Sequence, residues 1–385
     1  MIMMKITSII VYVIDTGSYH PVVVELQTDE GITGVGEAAV GFGNGAGACS
    51  KMILELSDAF VKGRDPFRIT DIWNDIYYHT FWGKGGGLFT SAAASAIETA
   101  LWDIKGKALG VPVYEFLGGR TRDMIPVYAN DWSQNETPQD FARRAEDVVS
   151  DGFRMIKVYP LSLIDPVRHI NRHIKDRHID QYTMKRCIEI VKQVRQAVGD
   201  EVEIMVDVTA EATPDVAASI GEAIRPFGIK WFEEPVDPYD IQGYEYVRNR
   251  TGLTIAGGER LFTRYGFREF INRQCIDVVQ PDPGTCGGIM EAFIIGKMAE
   301  AADIRVAPHN CGGPVLTAAA LQVFVASANA VAQEIFPYRP KKHYSIVENA
   351  YELNIRDGKL DIPTLPGIGV ELSHKTADPY ICGKV

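Results

Sequence analysis

From Ile125 onward, short apolar segments alternate with segments of helical periodicity, and this repeat constrains the fold more than any other feature. The helical segments include Tyr182–Val198, Asp215–Arg225 and Ile289–Ala301. Because the strand candidates are near-continuous apolar runs, they suit a parallel sheet that is buried on both faces. Eight such strands at near-regular spacing predict a β/α barrel. The strand candidates are Pro126–Asn130, Met155–Pro160, Glu203–Val208, Lys230–Pro235, Thr254–Glu259, Ile276–Asp282, Arg305–Asn310 and Val331–Phe336.

The first part of the chain has a different pattern, which predicts a small α+β unit. Three strand candidates come first, and two segments with helical apolar spacing, Met52–Val61 and Ala92–Leu109, follow them. The stretch after Asn349 is too short for another β/α unit, so we expect it to return to the N-terminal unit. The three N-terminal strand candidates are Lys5–Ile14, Val22–Thr28 and Ile32–Glu37. The predicted parts are an N-terminal domain at 1–122, a barrel domain at 123–348 and a C-terminal segment at 349–385.

Length, composition and charge set limits on the class of protein. The 385 residues suit two domains, and 46% hydrophobic with 23% charged residues is typical of a globular protein. A net charge of −11 argues against a nucleic-acid partner, which needs a basic face. The 6 cysteines form no C-x-x-C pair, which favours reduced thiols in a cytoplasmic protein. No segment has the roughly 20 apolar residues that a membrane helix needs.

Carboxylates end three consecutive barrel strands. The third predicted strand ends at Asp207, the fourth at Glu233 and the fifth at Glu259, and the three positions are evenly spaced along the chain. Since consecutive strands of the barrel are neighbours, the three carboxylates converge at one rim, where unpaired charges would repel. A hard divalent cation relieves that repulsion, and all-oxygen ligands favour Mg²⁺. The sequence therefore predicts one magnesium ion per active site.

Four further strand ends carry candidate catalytic groups on the same rim. The sixth strand ends at Asp282 and the seventh at His309, so the carboxylate can bond one imidazole nitrogen and make the ring a better general base. Glu334 on the eighth strand can hydrogen-bond a substrate oxygen or form a supporting ion pair. Lys157 and Tyr159 alternate on the second strand and face the barrel interior together. Lys157 can neutralise the metal carboxylates, and Tyr159 can donate a proton or a hydrogen bond.

Together these motifs resemble the enolase superfamily, specifically its mandelate racemase-like group, over essentially the whole chain. The resemblance implies an N-terminal α+β capping domain over a (β/α)7β modified TIM barrel, with Asp207, Glu233 and Glu259 on Mg²⁺. It also implies an Asp282–His309 dyad, with Glu334 stabilising the intermediate, in an enzyme that removes the proton α to a carboxylate. Members are usually dimers or octamers, so we expect a homo-oligomer. The motifs are Thr28–Glu37, Ala100–Lys107, Leu117–Gly119, Glu233–Pro235, Gly258–Glu259, Gln280–Asp282 and Cys286–Gly288.

Two departures from the family pattern bear on the reaction. Racemases of the group carry Lys-x-Lys on the second strand, where this chain has Lys157 and Tyr159. Galactonate and mannonate dehydratase-like members often carry a His two residues after the metal Asp, where this chain has Thr209. We therefore predict a sugar-acid dehydratase, acting on an aldonate or aldarate, in which His309 removes the α-proton. A racemase, epimerase or cycloisomerase on the same scaffold, and a non-catalytic metal-binding barrel, are the alternatives.

Loops of the N-terminal domain and one long barrel insertion are the candidates for substrate selection. Gly-rich segments suit a mobile lid, although such loops are equally common as plain turns. The segment 161–181, which follows the second strand, is rich in Arg, Lys and His. Its cations can reach the far end of a polyhydroxy acid, or they belong to a solvated or subunit-interface segment. The candidate substrate-binding residues are Tyr19, His20, Phe42, Asn44 and Trp82.

Overall fold

The computed structural model describes residues 4–17, 19–132, 137–161 and 179–385. The N-terminal domain begins with an antiparallel meander of three strands, β1 (Ile6–Val13), β2 (Val22–Thr28) and β3 (Thr33–Ala38). Three helices follow, with a π-helical turn at Asp75–His79 after the second and a 3₁₀ turn at Val113–Leu117 after the third. The helices are α1 (Ala46–Phe60), α2 (Ile69–Asn74) and α3 (Leu88–Leu109).

The second domain is a parallel barrel, as the alternating pattern predicts. Its strands are hydrogen-bonded in chain order, and the eighth strand also pairs with the first. Between the seventh and eighth strands the ring closes through a parallel bridge between Val306 and Ala330. The strands are β4 (Met124–Ala129), β5 (Met155–Val158), β6 (Glu203–Asp207), β7 (Trp231–Glu233), β8 (Ile255–Gly257), β9 (Val278–Val279), β10 (Arg305–Val306) and β11 (Gln333–Ile335).

Helices connect consecutive barrel strands, which confirms the predicted (β/α)7β architecture. The strands are shorter than the sequence pattern suggests, because their last residues turn away from the ladder to form the rim. Asp282, for example, lies beyond the end of β9, which the pattern extends to that residue. A 3₁₀ turn follows the third of the connecting helices at Arg225–Phe227. The helices are α4 (Pro138–Ser150), α5 (Gln181–Val198), α6 (Pro214–Ile224), α7 (Ile241–Thr251), α8 (Thr263–Asn272), α9 (Ile289–Glu300) and α10 (Pro314–Ala326).

The C-terminal segment contacts both domains. Its first strand pairs antiparallel with β4 of the barrel, and its last strand adds to β1 at the edge of the N-terminal sheet. Among the described residues, no helix combines the length and apolar character needed to cross a membrane. Helix α11 (Lys341–Tyr344) precedes this segment. The elements of the segment are a 3₁₀ turn at Tyr351–Asn354, β12 (Lys359–Asp361), α12 (His374–Ala377), a 3₁₀ turn at Asp378–Tyr380 and β13 (Ile381–Lys384).

Helix α3 joins the N-terminal sheet to the barrel, and glycines in β3 allow the close approach. A Cβ atom on Gly34 would lie 2.2 Å from the carbonyl oxygen of Ala100, and one on Gly36 would lie 1.9 Å from that of Ala96. Both distances are far below contact, so only glycine fits at these two positions. This packing explains why the Gly-x-Gly-Glu motif of β3 and the Ala-rich helix occur in one chain.

Two buried carboxylates from the N-terminal domain cap barrel helices. Glu98 of α3 accepts hydrogen bonds from the backbone N–H groups of Ile289 (2.8 Å) and Met290 (3.0 Å) at the start of α9, and from the indole of Trp102 (2.7 Å). Glu37 of β3 accepts from two N–H groups at the start of α10 in the same way. Burial raises the pKa of both carboxyl groups to about 8, although these backbone hydrogen bonds oppose the shift. The side-chain oxygens accept from the free N–H groups of the two helices, so the caps tie the two domains together.

We expect Glu98→Ala to lower the free energy of unfolding by ~3 kcal/mol or more, because it leaves buried N–H donors without an acceptor. Glu98→Gln keeps an acceptor oxygen and should cost less. Urea unfolding measures both, with Glu55→Ala on the exposed side of α1 as a control. Equal stability of Glu98→Ala and the control would contradict the capping role.

Candidate functional site

The three predicted metal carboxylates lie together at the rim. Asp207 and Glu233 end neighbouring strands and face each other in register, and Glu259 follows the end of β8 by two residues. Each offers an oxygen, and these oxygens lie within 4.8 Å of one another. Strand order therefore brings the three side chains together, two of them from strand ends and Glu259 from the loop that follows β8.

The electrostatics of this cluster favour a bound cation. Burial and the neighbouring Glu233 carboxylate raise the pKa of Asp207 well above its usual range. Burial also raises the pKa of Glu259, although His309 and Lys157 oppose the shift. Carboxylates with such shifts are costly to ionise, and a divalent cation removes that cost. Three hard oxygen donors match the ligands that Mg²⁺ takes, so these residues fit the ion that the family resemblance implies.

Lys157 is the main internal counter-ion of the rim. Its Nζ lies 2.7 Å from Glu233 Oε1, 2.7 Å from Glu334 Oε1 and 3.5 Å from Asp207 Oδ2. Burial lowers the pKa of Lys157, but Glu233 and Glu334 outweigh it and raise the pKa well above its ordinary value. The side chain is therefore an ammonium at neutral pH, and it neutralises charge as the alternation on β5 predicts.

Asp282 and His309 form a hydrogen-bonded pair. The imidazole Nδ1 lies 2.7 Å from Asp282 Oδ2, and the backbone N–H of Gly284 donates to the other carboxylate oxygen. The second nitrogen, Nε2, points to the carboxylate cluster and lies 3.4 Å from Glu259 Oε2. Burial lowers the pKa of His309, but Glu259, Glu334 and Asp282 outweigh it and raise the pKa to about 10.

Glu334 links the two sides of the site. Its Oε1 accepts from Asn130 Nδ2 at 2.5 Å, and its Oε2 accepts from the backbone N–H of Asn310 at 2.9 Å. Burial raises the pKa of Glu334, but Lys157 and His309 lower it more, so the group is ionised. Asn130 also donates to Tyr159 Oη at 2.7 Å. Asn130 was not predicted, although it is the last residue of the first strand candidate and strand-end reading could have found it.

The predicted substrate-binding residues lie in loops of the N-terminal domain. Tyr19 and Phe42 form an isolated bridge, with ring centroids 5.4 Å apart, and the Tyr19 hydroxyl contacts Cys311 Sγ at 3.0 Å, two residues after His309. Tyr19 therefore reaches the loop that carries His309, and Phe42 packs against Tyr19. Trp82 is 73% exposed and packs edge-to-face on Phe81.

The remaining candidates show no such approach. Asn44 is exposed, and His20 Nε2 lies 3.8 Å from Asp15 Oδ1 in its own loop. The basic cluster of the insertion lies outside the described residues, so its predicted role stays a prediction. Its members are Arg168, His169, Arg172, His173, Lys175, Arg177 and His178.

Two arginines at the rim were missed by the sequence analysis. The Arg260 guanidinium pairs with Glu234 and lies 3.4 Å from Glu259 Oε1, so it adds positive charge beside the carboxylate cluster. Arg339 stacks 3.6 Å from the centroid of Tyr19 and pairs with Asp131 at 2.9 Å. Arg260 directly follows the predicted ligand Glu259, so its sequence position could have indicated a place at the rim. Arg339 does not lie at a strand end, so its sequence position gives no such indication.

Comparison with known proteins identifies the family. Residues 7–118 match the profile of the mandelate racemase/muconate lactonizing enzyme N-terminal domain, and residues 140–376 match the enolase C-terminal domain-like profile. The chain therefore belongs to the mandelate racemase/muconate lactonizing enzyme family of the enolase superfamily, which confirms the resemblance read from its motifs.

Named relatives and solved structures are similar over nearly the whole chain. D-galactonate dehydratase of Ralstonia pickettii is 34% identical over 90% of this chain and 87% of the relative, and that of Pectobacterium atrosepticum is 32% identical over 97% and 93%. A crystal structure from Mesorhizobium loti, described as a candidate dehydratase, superposes with a TM-score of 0.94 at 40% identity and covers 99% of both chains. An enolase superfamily member from Salmonella Typhimurium gives 0.92 at 35% identity, again covering 99% of both chains. These relatives confirm the prediction of an enzyme of the dehydratase kind.

We expect Mg²⁺ to raise the melting temperature of the protein, because the ion binds the native rim and not the unfolded chain. Asp207→Asn should lose this shift while melting no lower than wild type without metal, because it removes one of the repelling charges. Glu203→Gln, at the exposed opposite end of β6, is the matched control. Differential scanning calorimetry with and without Mg²⁺ measures both effects. An unchanged Mg²⁺ shift in Asp207→Asn would exclude this residue as a ligand.

Proposed function

We propose that the protein is a Mg²⁺-dependent dehydratase of a sugar acid, an aldonate or an aldarate. The observation that carries the proposal is the position of the Asp282–His309 pair, whose Nε2 faces the carboxylate cluster rather than solvent. A base and a metal-binding cluster that face one space are what removal of a proton α to a carboxylate needs. The names of the relatives favour a sugar acid over other small carboxylates.

Asp207, Glu233 and Glu259 would hold the ion. Once bound there, Mg²⁺ supplies positive charge beside the substrate carboxylate, where negative charge develops as the α-proton leaves. Lys157 contributes a second, permanent positive charge in contact with Glu233 and Glu334. The chain itself thus provides a site in which an extra negative charge is stabilised.

His309 takes the α-proton at Nε2. Asp282 accepts the Nδ1 proton, which fixes the tautomer and leaves Nε2 as the basic atom. Glu259 is the first of the carboxylates that raise the pKa of His309. A cation held by Glu259 would offset the charge of that carboxylate. The pKa of His309 would then fall, and the neutral imidazole that acts as a base would be available near neutral pH. Asp282 is thus a positioning residue and His309 the catalytic base.

Glu334 and the loops of the N-terminal domain would orient the substrate. Glu334 is ionised, so it accepts a hydrogen bond from a substrate hydroxyl and holds Lys157 in place. Tyr19 and Phe42 cover the side of the site next to the His309 loop, and we propose the other predicted loop residues as contacts at greater distance.

We also propose the domain limits 1–122, 123–348 and 349–385, and a homo-oligomer, dimer or octamer.

A two-base racemase or epimerase needs a second base on the face opposite His309. Lys157 is an ammonium that contacts carboxylates, and burial raises the pKa of Tyr159 well above its ordinary value, although Lys157 opposes the shift. Both groups therefore hold their protons and serve better as charge or proton donors than as bases. This disfavours a two-base racemase relative to a dehydratase.

A library of aldonic and aldaric acids, incubated with Mg²⁺ and assayed for 2-keto-3-deoxy products, tests the proposal. We expect a product that disappears with EDTA and falls by at least ~100-fold in His309→Asn, because a general base contributes rate factors of this order. His374→Asn, at an exposed histidine of α12, is the matched control and should retain activity. Near-normal turnover in His309→Asn would overturn the base assignment. Solvent deuterium exchange without loss of water would instead indicate a racemase, epimerase or cycloisomerase.

A further inference from the structure

We infer that Asn130 directs the hydroxyl proton of Tyr159 toward the substrate, so that Tyr159 is the acid that protonates the departing β-hydroxyl. The inference rests on the proposed dehydratase function and adds to it the identity of the acid and a residue that positions it. Such an acid is needed because hydroxide is a poor leaving group, and Thr209, two residues after Asp207, has no group acidic enough to supply the proton.

The orientation of the Asn130 amide is fixed by three hydrogen bonds. Its oxygen accepts from the backbone N–H of Asp131 at 2.6 Å, and its Nδ2 donates to Glu334 Oε1 at 2.5 Å and to Tyr159 Oη at 2.7 Å. An amide turned the other way would place its oxygen against the Glu334 carboxylate and lose the bond to Asp131. Asn130 is 1% exposed, so no competing water contact is needed to explain this orientation.

The amide nitrogen has no acceptor capacity, so the Tyr159 oxygen must be the acceptor of this bond. The phenolic proton therefore points away from Asn130. The described part of the chain supplies no acceptor within hydrogen-bonding distance for that proton. The Tyr159 hydroxyl is half-buried, and its oxygen already accepts a hydrogen bond. Its proton is therefore free to be donated to a bound ligand.

The position of Tyr159 on the barrel suits an acid that works opposite the base. In the ring of eight strands, β5 lies across the barrel from β9, which leads to Asp282, and His309 follows β10. A substrate between them would meet the base on one face and the acid on the other. Lys157 Nζ lies 5.4 Å from the centroid of the Tyr159 ring and would stabilise the phenolate left after proton transfer.

The step balances as an elimination. His309 takes the α-proton, and the substrate keeps the electron pair of that C–H bond as an enediolate. In a second step this electron pair forms the carbon–carbon double bond as the β C–O bond breaks. Tyr159 gives its proton to the departing oxygen, which leaves as water. The resulting enol takes up a proton at the β-carbon as it becomes the 2-keto-3-deoxy acid, and proton exchange with solvent restores His309 and Tyr159. No oxidant or reductant is required.

The test compares α-proton exchange with loss of water, using the acid accepted by the wild-type enzyme, in D₂O with Mg²⁺. Proton NMR follows both processes. In Tyr159→Phe we expect dehydration to fall by at least ~100-fold while His309 still exchanges the α-proton. Asn130→Ala should reduce dehydration by roughly 10-fold without a matching loss of exchange, because the acid is present but no longer oriented. Asn130→Asp should also reduce it, because a carboxylate accepts the phenolic proton instead of directing it to the substrate.

A double variant separates orientation from a general structural effect. If Asn130 acts through Tyr159, Asn130→Ala should cause little further loss of dehydration in the Tyr159→Phe background. An equal further loss there, or near-normal dehydration by Tyr159→Phe, would overturn the inference, and the second result would make His309 the acid as well as the base. An unchanged Mg²⁺-induced rise in melting temperature verifies that each variant is folded. Wild-type protein that neither exchanges nor dehydrates any acid would overturn the proposed function itself.

Discussion

Repulsion among the carboxylates at the barrel rim is the constraint on which the rest of the site depends. Asp207 and Glu233 are buried on adjacent strands, and Glu259 lies beside them. Such charges persist only where positive charge faces them. Lys157 supplies part of it, Arg260 pairs at the edge, and a divalent cation held by the three carboxylates would supply the rest. The same excess of negative charge raises the pKa of His309, so the cluster and the base are electrically coupled.

The N-terminal domain fixes the dyad as well as covering the site. Glu98 caps α9, which follows the loop that begins at Asp282, and Glu37 caps α10, which follows the loop that begins at His309. Both loops are therefore held at each end, by a barrel strand before them and by a buried carboxylate after them. This explains in physical terms why the catalytic barrel and the α+β domain form one chain, and it links the fold to the geometry of proton transfer.

Much of this organisation follows from the sequence because it depends on periodicity and topology. Apolar runs of the right length predict the strands, and strand order places Asp207, Glu233 and Glu259 side by side. Contacts between side chains that are far apart in the sequence cannot be predicted from periodicity or strand order. Arg339 reaches Tyr19 across the domain boundary, and the capping roles of Glu37 and Glu98 depend on how α3 docks, although both glutamates belong to regions whose patterns were recognised. Strand ends were overestimated for β9 and β10, because rim residues keep strand-like composition after they leave the ladder.

The most direct test of the account is a crystal structure of the protein with Mg²⁺ and an accepted sugar acid bound to the His309→Asn variant. We predict a single ion bonded to Asp207, Glu233 and Glu259 at about 2.1 Å, with the substrate carboxylate beside it. We also expect the α-carbon to face residue 309 and the β-hydroxyl to face Tyr159. An ion bound elsewhere, or an α-carbon turned toward Lys157, would contradict the central claim that the carboxylate cluster and the dyad act on one proton.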